Sequence, residues 1–154
     1  MITIAVPANS IEWDKGRALL LEYATSRDFD CAMGNVKEEA RQLHLRYGQP
    51  EGIFLLAQKN GEAAGCVAFR LFAEGACEMK RLYVRPSFRG MNIGRRLIEA
   101  IIDNSRKAGY EKLLLDTLPD MAEAKHLYGQ FGFSRIAAYN NNPAKGVQHF
   151  ELKL

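Results

Sequence analysis

The chain has 154 residues and a formal net charge of +3, with 47% hydrophobic and 25% charged residues. This composition is ordinary for a globular protein, and no apolar run approaches the length of a membrane span. A charge of +3 is too small to predict a nucleic-acid partner, which needs basic residues concentrated on one surface. The length predicts a single domain over residues 1–154.

Hydrophobic spacing in the first half of the chain predicts a strand, two helices and a hairpin. These elements are the strand Ile2 to Val6, a helix capped by Ser10, a helix with Val36, Ala40, Leu43 and Tyr47 on one face, and the strands Ile53 to Gln58 and Ala64 to Phe72. Asn60-Gly61 separates the last two strands, and this pair supplies the positive φ angles that a tight hairpin needs.

The second half predicts strands that alternate with helices. In chain order these are the strand Cys77 to Val84, a helix from Gly94 to Ala108, the strand Lys112 to Thr117, a helix from Ala122 to Phe131, and the strands Phe133 to Tyr139 and Val147 to Leu154. Because Lys112 to Thr117 follows a crossover helix, it should lie parallel to Cys77 to Val84. The sheet is therefore predicted to be mixed.

Cysteines, histidines and the N-terminus predict neither a metal site nor a secretory leader. Cys66 and Cys77 lie in apolar runs without C-x-x-C spacing, so both are predicted to be buried and structural. The histidines His44, His126 and His149 are too widely spaced in the sequence to indicate a metal site. Met1 to Pro7 lacks the features of a signal peptide, and a cytoplasmic location is expected.

The loop Arg89-Gly90-Met91-Asn92-Ile93-Gly94 lies between a predicted strand and a predicted helix. The first N–H groups of a helix have no intrahelical partner and carry partial positive charge, so they favour an anion. Gly90 and Gly94 let the backbone approach a ligand closely. The pattern predicts a diphosphate site, with an ordinary strand-to-helix loop as the alternative. Six cations surround the loop, and solvated surface charge is the alternative explanation for them: Lys80, Arg81, Arg85, Arg89, Arg95 and Arg96.

Four segments between Cys66 and Phe133 together resemble the GCN5-related N-acetyltransferase (GNAT) family: LYV, RPSFRGMNIGRRLI, LDT and EAKHLYGQFGF. The resemblance implies an α/β (α+β) fold with a mixed, largely antiparallel sheet of six to seven strands and about four flanking helices. It also implies a V-shaped splay between two parallel strands, and acetyl-CoA (coenzyme A) as co-substrate without a metal.

Two residues depart from the family pattern. Asn92 stands where the loop usually has glycine, and asparagine tolerates the left-handed conformation at a cost of about 1 kcal/mol. Met121 stands where the later helix usually has asparagine, so any cofactor contact there is apolar or through the backbone. We therefore expect cofactor binding to be retained, with its affinity left open.

By resemblance, coenzyme A contacts one strand end, the loop and two later segments: Leu82, Tyr83, Val84, Arg89, Gly90, Met91, Asn92, Ile93, Gly94, Arg95, Asp116, Met121 and Ala124. Glu78 is the candidate base, directly or through water, and the alternative is a solvent-facing glutamate paired with Arg81 or Lys80. Strand alternation places residues 78, 80, 82 and 84 on one face, unless a bulge changes the register. Tyr128 is the candidate acid, with a core tyrosine as the alternative.

The resemblance implies acetyl transfer to a primary amine of a small molecule, with a peptide or protein N-terminus or a lysine as the less favoured acceptor. Asp28, Phe29, Asp30 and Tyr139 are the candidate acceptor contacts, because acids and an aromatic wall suit a cationic amine. A non-catalytic acyl-CoA-binding sensor is the alternative function. A homodimer is compatible with the family, no nucleic-acid or membrane partner is expected, and the sequence names neither the acceptor nor other usable acyl-CoAs.

Overall fold

A computed structural model describes residues 1–27, 35–119 and 121–154. Seven strands form one sheet in the order β1-β2-β3-β4-β5-β7-β6. They are β1 (Ile2–Ala5), β2 (Ile53–Lys59), β3 (Glu62–Ala73), β4 (Ala76–Val84), β5 (Lys112–Thr117), β6 (Ser134–Ile136) and β7 (Gln148–Lys153). Only β4 and β5 pair in parallel, and every other neighbouring pair is antiparallel. The predicted mixed sheet is confirmed.

The helices of the described residues are α1 (Ser10–Arg27), α2 (Val36–Arg41), α3 (Leu43–Arg46), α4 (Ile93–Lys107) and α5 (Ala122–Gln130). The cap of α1 is Asn9 and not Ser10, because the Asn9 side chain accepts a hydrogen bond from the backbone N–H of Glu12 at 2.9 Å. The single second helix of the prediction is divided into α2 and α3 at Gln42, whose φ of −105° and ψ of 22° are not helical.

Two apolar cores cover the two faces of the sheet. Leu97, Ile98 and Ile101 of α4 are fully buried in one core, together with Val67 and other strand residues. The second core joins α1 and the short helices to the opposite face, where its buried members include Leu19, Leu20, Leu43, Tyr47, Phe54 and Cys66. Burial of a large apolar side chain stabilises the fold by about 1.5–3 kcal/mol. The sheet is therefore a layer between helices.

The tight hairpin is confirmed, since Asn60 and Gly61 have φ angles of 52° and 82°. Cys66 and Cys77 are buried free thiols, as predicted. Burial raises the pKa of Cys66 to about 12 and that of Cys77 to about 11, so neither is a nucleophile at neutral pH.

The penultimate strand is shorter than predicted. The sequence predicts Phe133 to Tyr139, but β6 ends at Ile136. Beyond it the chain leaves the sheet, and the side chains of Tyr139 and Asn140 form hydrogen bonds to the buried carboxylate of Glu78 and the half-buried carboxylate of Asp116. Side-chain hydrogen bonding in this segment thus replaces the ladder that the alternating sequence suggests.

Candidate active site

The cleft begins where β4 and β5 separate. The two strands pair only from Ala76 to Glu78 against Lys112 to Leu114. Past this point β5 pairs with β7 on one side, and β4 pairs with β3 on the other. The facing edges of the upper halves of β4 and β5 therefore do not pair with each other, which is the V-shaped splay expected from the sequence.

A β-bulge at Arg81 accompanies this separation. Arg81 has a φ of +63°, and the pairing register between β3 and β4 shifts between Cys66 and Ala68. An extra residue in one strand bends it and reverses the faces that follow. As a result Leu82 and Val84 pack against the α4 core, whereas Tyr83 joins the α1 core. The prediction that residues 78, 80, 82 and 84 share one face is wrong for the last two.

The N-terminus of α4 lies at the wide end of the cleft. Asn92 adopts the left-handed conformation, with φ 61° and ψ 17°, and its side chain does not cap the helix. The first helical hydrogen bond runs from the Arg96 N–H to the Asn92 carbonyl at 3.1 Å. The preceding amides of Ile93, Gly94 and Arg95 have no hydrogen-bond acceptor among the described residues, so they remain able to bind an anion.

A cleft of about 710 Å³ extends from these amides between β4 and α5. This volume is within the range of small-molecule sites. Most of the predicted coenzyme A contacts line it, namely Leu82, Tyr83, Val84, Arg89, Gly90, Asn92, Ile93, Gly94, Arg95, Met121 and Ala124. Met91, within the loop, is 39% exposed and does not line the cleft. The loop, the end of β4 and the start of α5 are thus brought together as predicted.

The six cations around the loop have different surroundings. Arg81 forms a two-pronged ion pair with Glu39 of α2, with both N–O distances 2.7 Å, and Arg85 pairs with Glu22 of α1 at 3.0 Å. Arg89 and Arg95 line the cleft, and the Arg95 guanidinium lies 5.3 Å above the ring of Phe131. Positive charge at the wide end therefore comes from Arg89, Arg95 and the helix dipole.

An inner cavity of about 80 Å³ adjoins the cleft, shares the lining residues Leu82, Met121 and Ala124 with it, and is lined by Tyr128. Tyr128 is 4% exposed and packs against Phe133 and Phe150 at ring distances of 5.5 and 6.3 Å. Its hydroxyl has no hydrogen-bond partner among the described residues. Burial raises the pKa of Tyr128, so the hydroxyl is protonated at neutral pH.

Met121 lies at the junction of the cleft and the inner cavity and lines both. Its backbone N–H donates to the Leu118 carbonyl, and its carbonyl accepts from Lys125. The thioether sulfur accepts a hydrogen bond from the Thr117 hydroxyl at 3.3 Å. Because the backbone groups are already paired, the side chain is the part of Met121 that remains available to a ligand.

Glu78 is buried behind the inner cavity and lines neither space. Its side chain is 2% exposed and accepts a hydrogen bond from the Tyr139 hydroxyl at 2.7 Å. The Lys80 ammonium lies 3.4 Å from it and the Arg70 guanidinium 3.6 Å. Burial, followed by the negative charge of Glu78, raises the pKa of Tyr139. Glu78 is therefore neither solvent-facing nor in direct contact with the cleft.

Asp116 lines the inner cavity. The carboxylate accepts hydrogen bonds from the side-chain amides of Asn140 at 2.8 Å and Asn142 at 3.1 Å. His149 is buried and lies 2.8 Å from the Asn140 side-chain oxygen, which fixes the orientation of that amide. Burial alone would raise the pKa of Asp116, but Lys80 and the two amides lower it overall. Asp116 is thus a carboxylate at neutral pH.

The predicted acceptor contacts do not line the inner cavity within the described residues, and some residues that do line it were not predicted. Asp28, Phe29 and Asp30 lie outside the described residues. Tyr139 contacts Glu78 and Phe72 rather than the cavity. Lys80, Asn142 and Tyr23 line the inner cavity without having been assigned a role there. The run Asn140-Asn141-Asn142 after a strand was the available signal for the amides, since such residues favour side-chain bonding over ladder formation.

Comparison with known proteins identifies the family. The family model described as "Acetyltransferase (GNAT) family" matches residues 13–133. An uncharacterized N-acetyltransferase of Schizosaccharomyces pombe is 41% identical over 143 residues, which cover 92% of this chain and 88% of that protein. The chain belongs to the GNAT acetyltransferase family, and it is an acyltransferase.

Solved structures share the fold at low sequence identity. An acetyltransferase from Streptococcus agalactiae has a TM-score of 0.81 and 18% identity, over 99% of this chain and 98% of that chain. YncA from Salmonella typhimurium, solved with its cofactor acetyl-CoA, has a TM-score of 0.74 and 20% identity, over 99% and 93%. Within the described residues, no helix is both long and apolar enough to span a membrane.

Proposed function

We propose that this enzyme transfers an acetyl group from acetyl-CoA to a primary amine of a small molecule, by direct transfer between two bound substrates. The observation that carries the proposal is that two adjoining spaces share the lining residues Leu82, Met121 and Ala124. One is lined by Ile93, Gly94 and Arg95, whose amides have no acceptor among the described residues, and the other is lined by Tyr128. A peptide or protein N-terminus, or a lysine, is the less favoured acceptor.

The residues at the wide end fit a diphosphate. Three amides that have no acceptor among the described residues, the helix dipole and two arginines provide donors and positive charge. Gly94 adds space, since a Cβ atom built there would meet only Leu127 and Val84, both at an ordinary 3.8 Å. Neither packing nor a positive φ requires glycine at this position, which supports close approach of a ligand.

The unpaired edge of β4 supports binding of an extended chain. Beyond Glu78 the backbone of this strand has no partner on its β5 side. An extended ligand can bind such an edge as an added strand would. We assign this role to Leu82, Tyr83 and Val84, which line the cleft. Bound acetyl-CoA supplies the acetyl group as a thioester.

Tyr128 is assigned as the acid. Its burial and raised pKa keep a proton on the hydroxyl oxygen, and no described residue competes for it. It is therefore able to protonate a departing thiolate or hold its sulfur. Glu78 is assigned as the proton acceptor for the amine, acting through water because its buried carboxylate does not line the cleft.

A panel of polyamines, amino acids, aminoglycosides and short peptides tests the proposal. We expect at least one small amine to stimulate thiol release from acetyl-CoA. Tyr128→Phe should lower kcat by about 10²- to 10⁴-fold while coenzyme A still binds. Tyr110→Phe is the matched control, since the Tyr110 hydroxyl donates to the Glu51 carbonyl away from the cleft.

Two results would contradict these assignments. If no amine stimulates thiol release by the wild-type enzyme, transfer to an amine is wrong. If Tyr128→Phe turns over like the wild type, Tyr128 is not the acid.

A further inference from the structure

We infer that the carboxylate of Asp116 binds the ammonium group of the acceptor amine, an inference that rests on the proposed acetyl transfer. Asp116 lines the inner cavity that also contains the Tyr128 side chain. The family resemblance assigned Asp116 to coenzyme A. Its side chain forms a hydrogen-bonded polar cluster with Asn140, Asn142 and His149, which also includes Glu78 and Tyr139.

The two acidic side chains near the cavity differ in their partners. Glu78 faces two cationic groups, Lys80 at 3.4 Å and Arg70 at 3.6 Å. Asp116 accepts its hydrogen bonds from neutral amides, and among the described residues no basic nitrogen lies within 4.0 Å of it. A negative charge that is partly withdrawn from water favours a cation at short range. Of these two carboxylates, Asp116 is therefore the one without a cationic partner in direct contact among the described residues.

A second observation indicates that the same cavity can bind a ligand. Tyr128 is only 4% exposed, yet its hydroxyl has no hydrogen-bond partner among the described residues. Buried hydroxyls are normally satisfied, so a ligand that enters this cavity provides the missing partner. Asp116 and Tyr128 therefore present an acceptor and a donor to one small space.

Lys80 also lines the cavity and restricts what Asp116 can bind. Its ammonium is held toward Glu78, and it lowers the pKa of Asp116 from a longer distance. Both amides donate to the Oδ2 atom of Asp116, so its Oδ1 atom has no hydrogen-bond donor among the described residues and is the oxygen available to an ammonium group. An ion pair with the ammonium form stabilises the bound ground state, so its loss should raise KM more than it lowers kcat.

Binding to the protein saturated with coenzyme A tests the inference without turnover, because coenzyme A carries no acetyl group. Calorimetry compares 2-phenylethylamine with 2-phenylethanol, and butylamine with butanol, at pH 7. We expect the amine of at least one pair to bind tenfold or more tightly than its alcohol. Asp116→Asn should abolish that preference and leave coenzyme A affinity within about twofold.

Asp103→Asn is the matched control, since Asp103 lies on α4, is 66% exposed and contacts Arg106 at 3.9 Å. It should leave both affinities unchanged. Equal binding of amine and alcohol by the wild type, no binding of any amine, or an amine preference that survives in Asp116→Asn overturns the inference. If Asp116→Asn fails to fold, the wild-type comparison decides alone. Absence of coenzyme A binding to the wild type would instead refute the proposed function, and this inference with it.

Discussion

Replacing Gly94 by alanine is expected to weaken coenzyme A binding and, at the same time, to stabilise the folded chain. Gly94 is the second residue of α4 and has no positive φ. Alanine is favoured over glycine in a helix by up to about 1 kcal/mol. The new Cβ would meet only ordinary contacts at 3.8 Å. A gain of about 0.5–1 kcal/mol corresponds to a rise in Tm of roughly 1–4 °C for a chain of this size.

The effect on binding has the opposite sign. The added methyl group would occupy the space through which a diphosphate reaches the amides of Ile93, Gly94 and Arg95. Loss of one hydrogen bond to a charged group costs about 1.5–3 kcal/mol. This corresponds to a Kd for coenzyme A that is roughly 10- to 150-fold higher. Urea unfolding measures the first effect, and titration calorimetry measures the second.

Gly129 provides the control for both measurements. It lies within α5, a Cβ atom built there meets nothing within 4 Å, and it does not line the cleft. Gly129→Ala should therefore stabilise the chain and leave coenzyme A affinity unchanged. If Gly94→Ala binds coenzyme A as tightly as Gly129→Ala, the α4 N-terminus is not the diphosphate site. If Gly94→Ala is destabilised, the packing argument is wrong.

Two other predictions concern stability. Asn92→Gly should raise the free energy of unfolding by up to about 1 kcal/mol, because Asn92 has a φ of 61°; a lower value in thermal or urea unfolding would contradict this. Glu39→Gln should lower it by about 3 kcal/mol, because Glu39 is 3% exposed and forms the ion pair with Arg81. Despite burial, hydrogen bonding and charge from Arg81 lower the pKa of Glu39 in the folded state. The ionised Glu39 side chain therefore contributes its full stabilisation above about pH 4.5, and this contribution is lost as the pH falls through the pKa of the folded state. Urea unfolding should show a smaller difference in free energy of unfolding between the wild type and Glu39→Gln at pH 3 than at pH 7.

The parts of the site that were predictable are the parts built from neighbouring residues. Gly90 and Asn92 both have positive φ, and the apolar stripe of α4 is buried, so the loop and helix follow from local sequence. The position of Tyr128 on the inward face of α5 also follows from helical spacing. These features need no contact between distant segments, which is why periodicity and residue type were sufficient.

The polar cluster could not be predicted in the same way. The Tyr139 side chain reaches Glu78 across 61 positions of the chain, and Asn140 reaches Asp116 across 24. The alternating residues after Phe133 suggest a strand, but the side chains of Tyr139 and Asn140 form hydrogen bonds to Glu78 and Asp116. Local propensity does not predict whether this segment pairs as a strand or forms side-chain hydrogen bonds, because the carboxylates that accept those bonds lie on other strands.

After Lys80, the side chains of β4 switch to the opposite faces of the sheet. This switch depends on a contact between Arg81 and α2. Arg81 adopts a φ of +63°, which a non-glycine residue maintains only when its surroundings compensate for the strain. Glu39 of α2 holds its guanidinium by two hydrogen bonds of 2.7 Å, and the Cys66 thiol donates to its carbonyl at 3.3 Å. These contacts fix the residue at which β4 changes register. Because this bulge follows shortly after Glu78, where the pairing of β4 with β5 ends, the ion pair from α2 stabilises the opening that Tyr128 and Asp116 line.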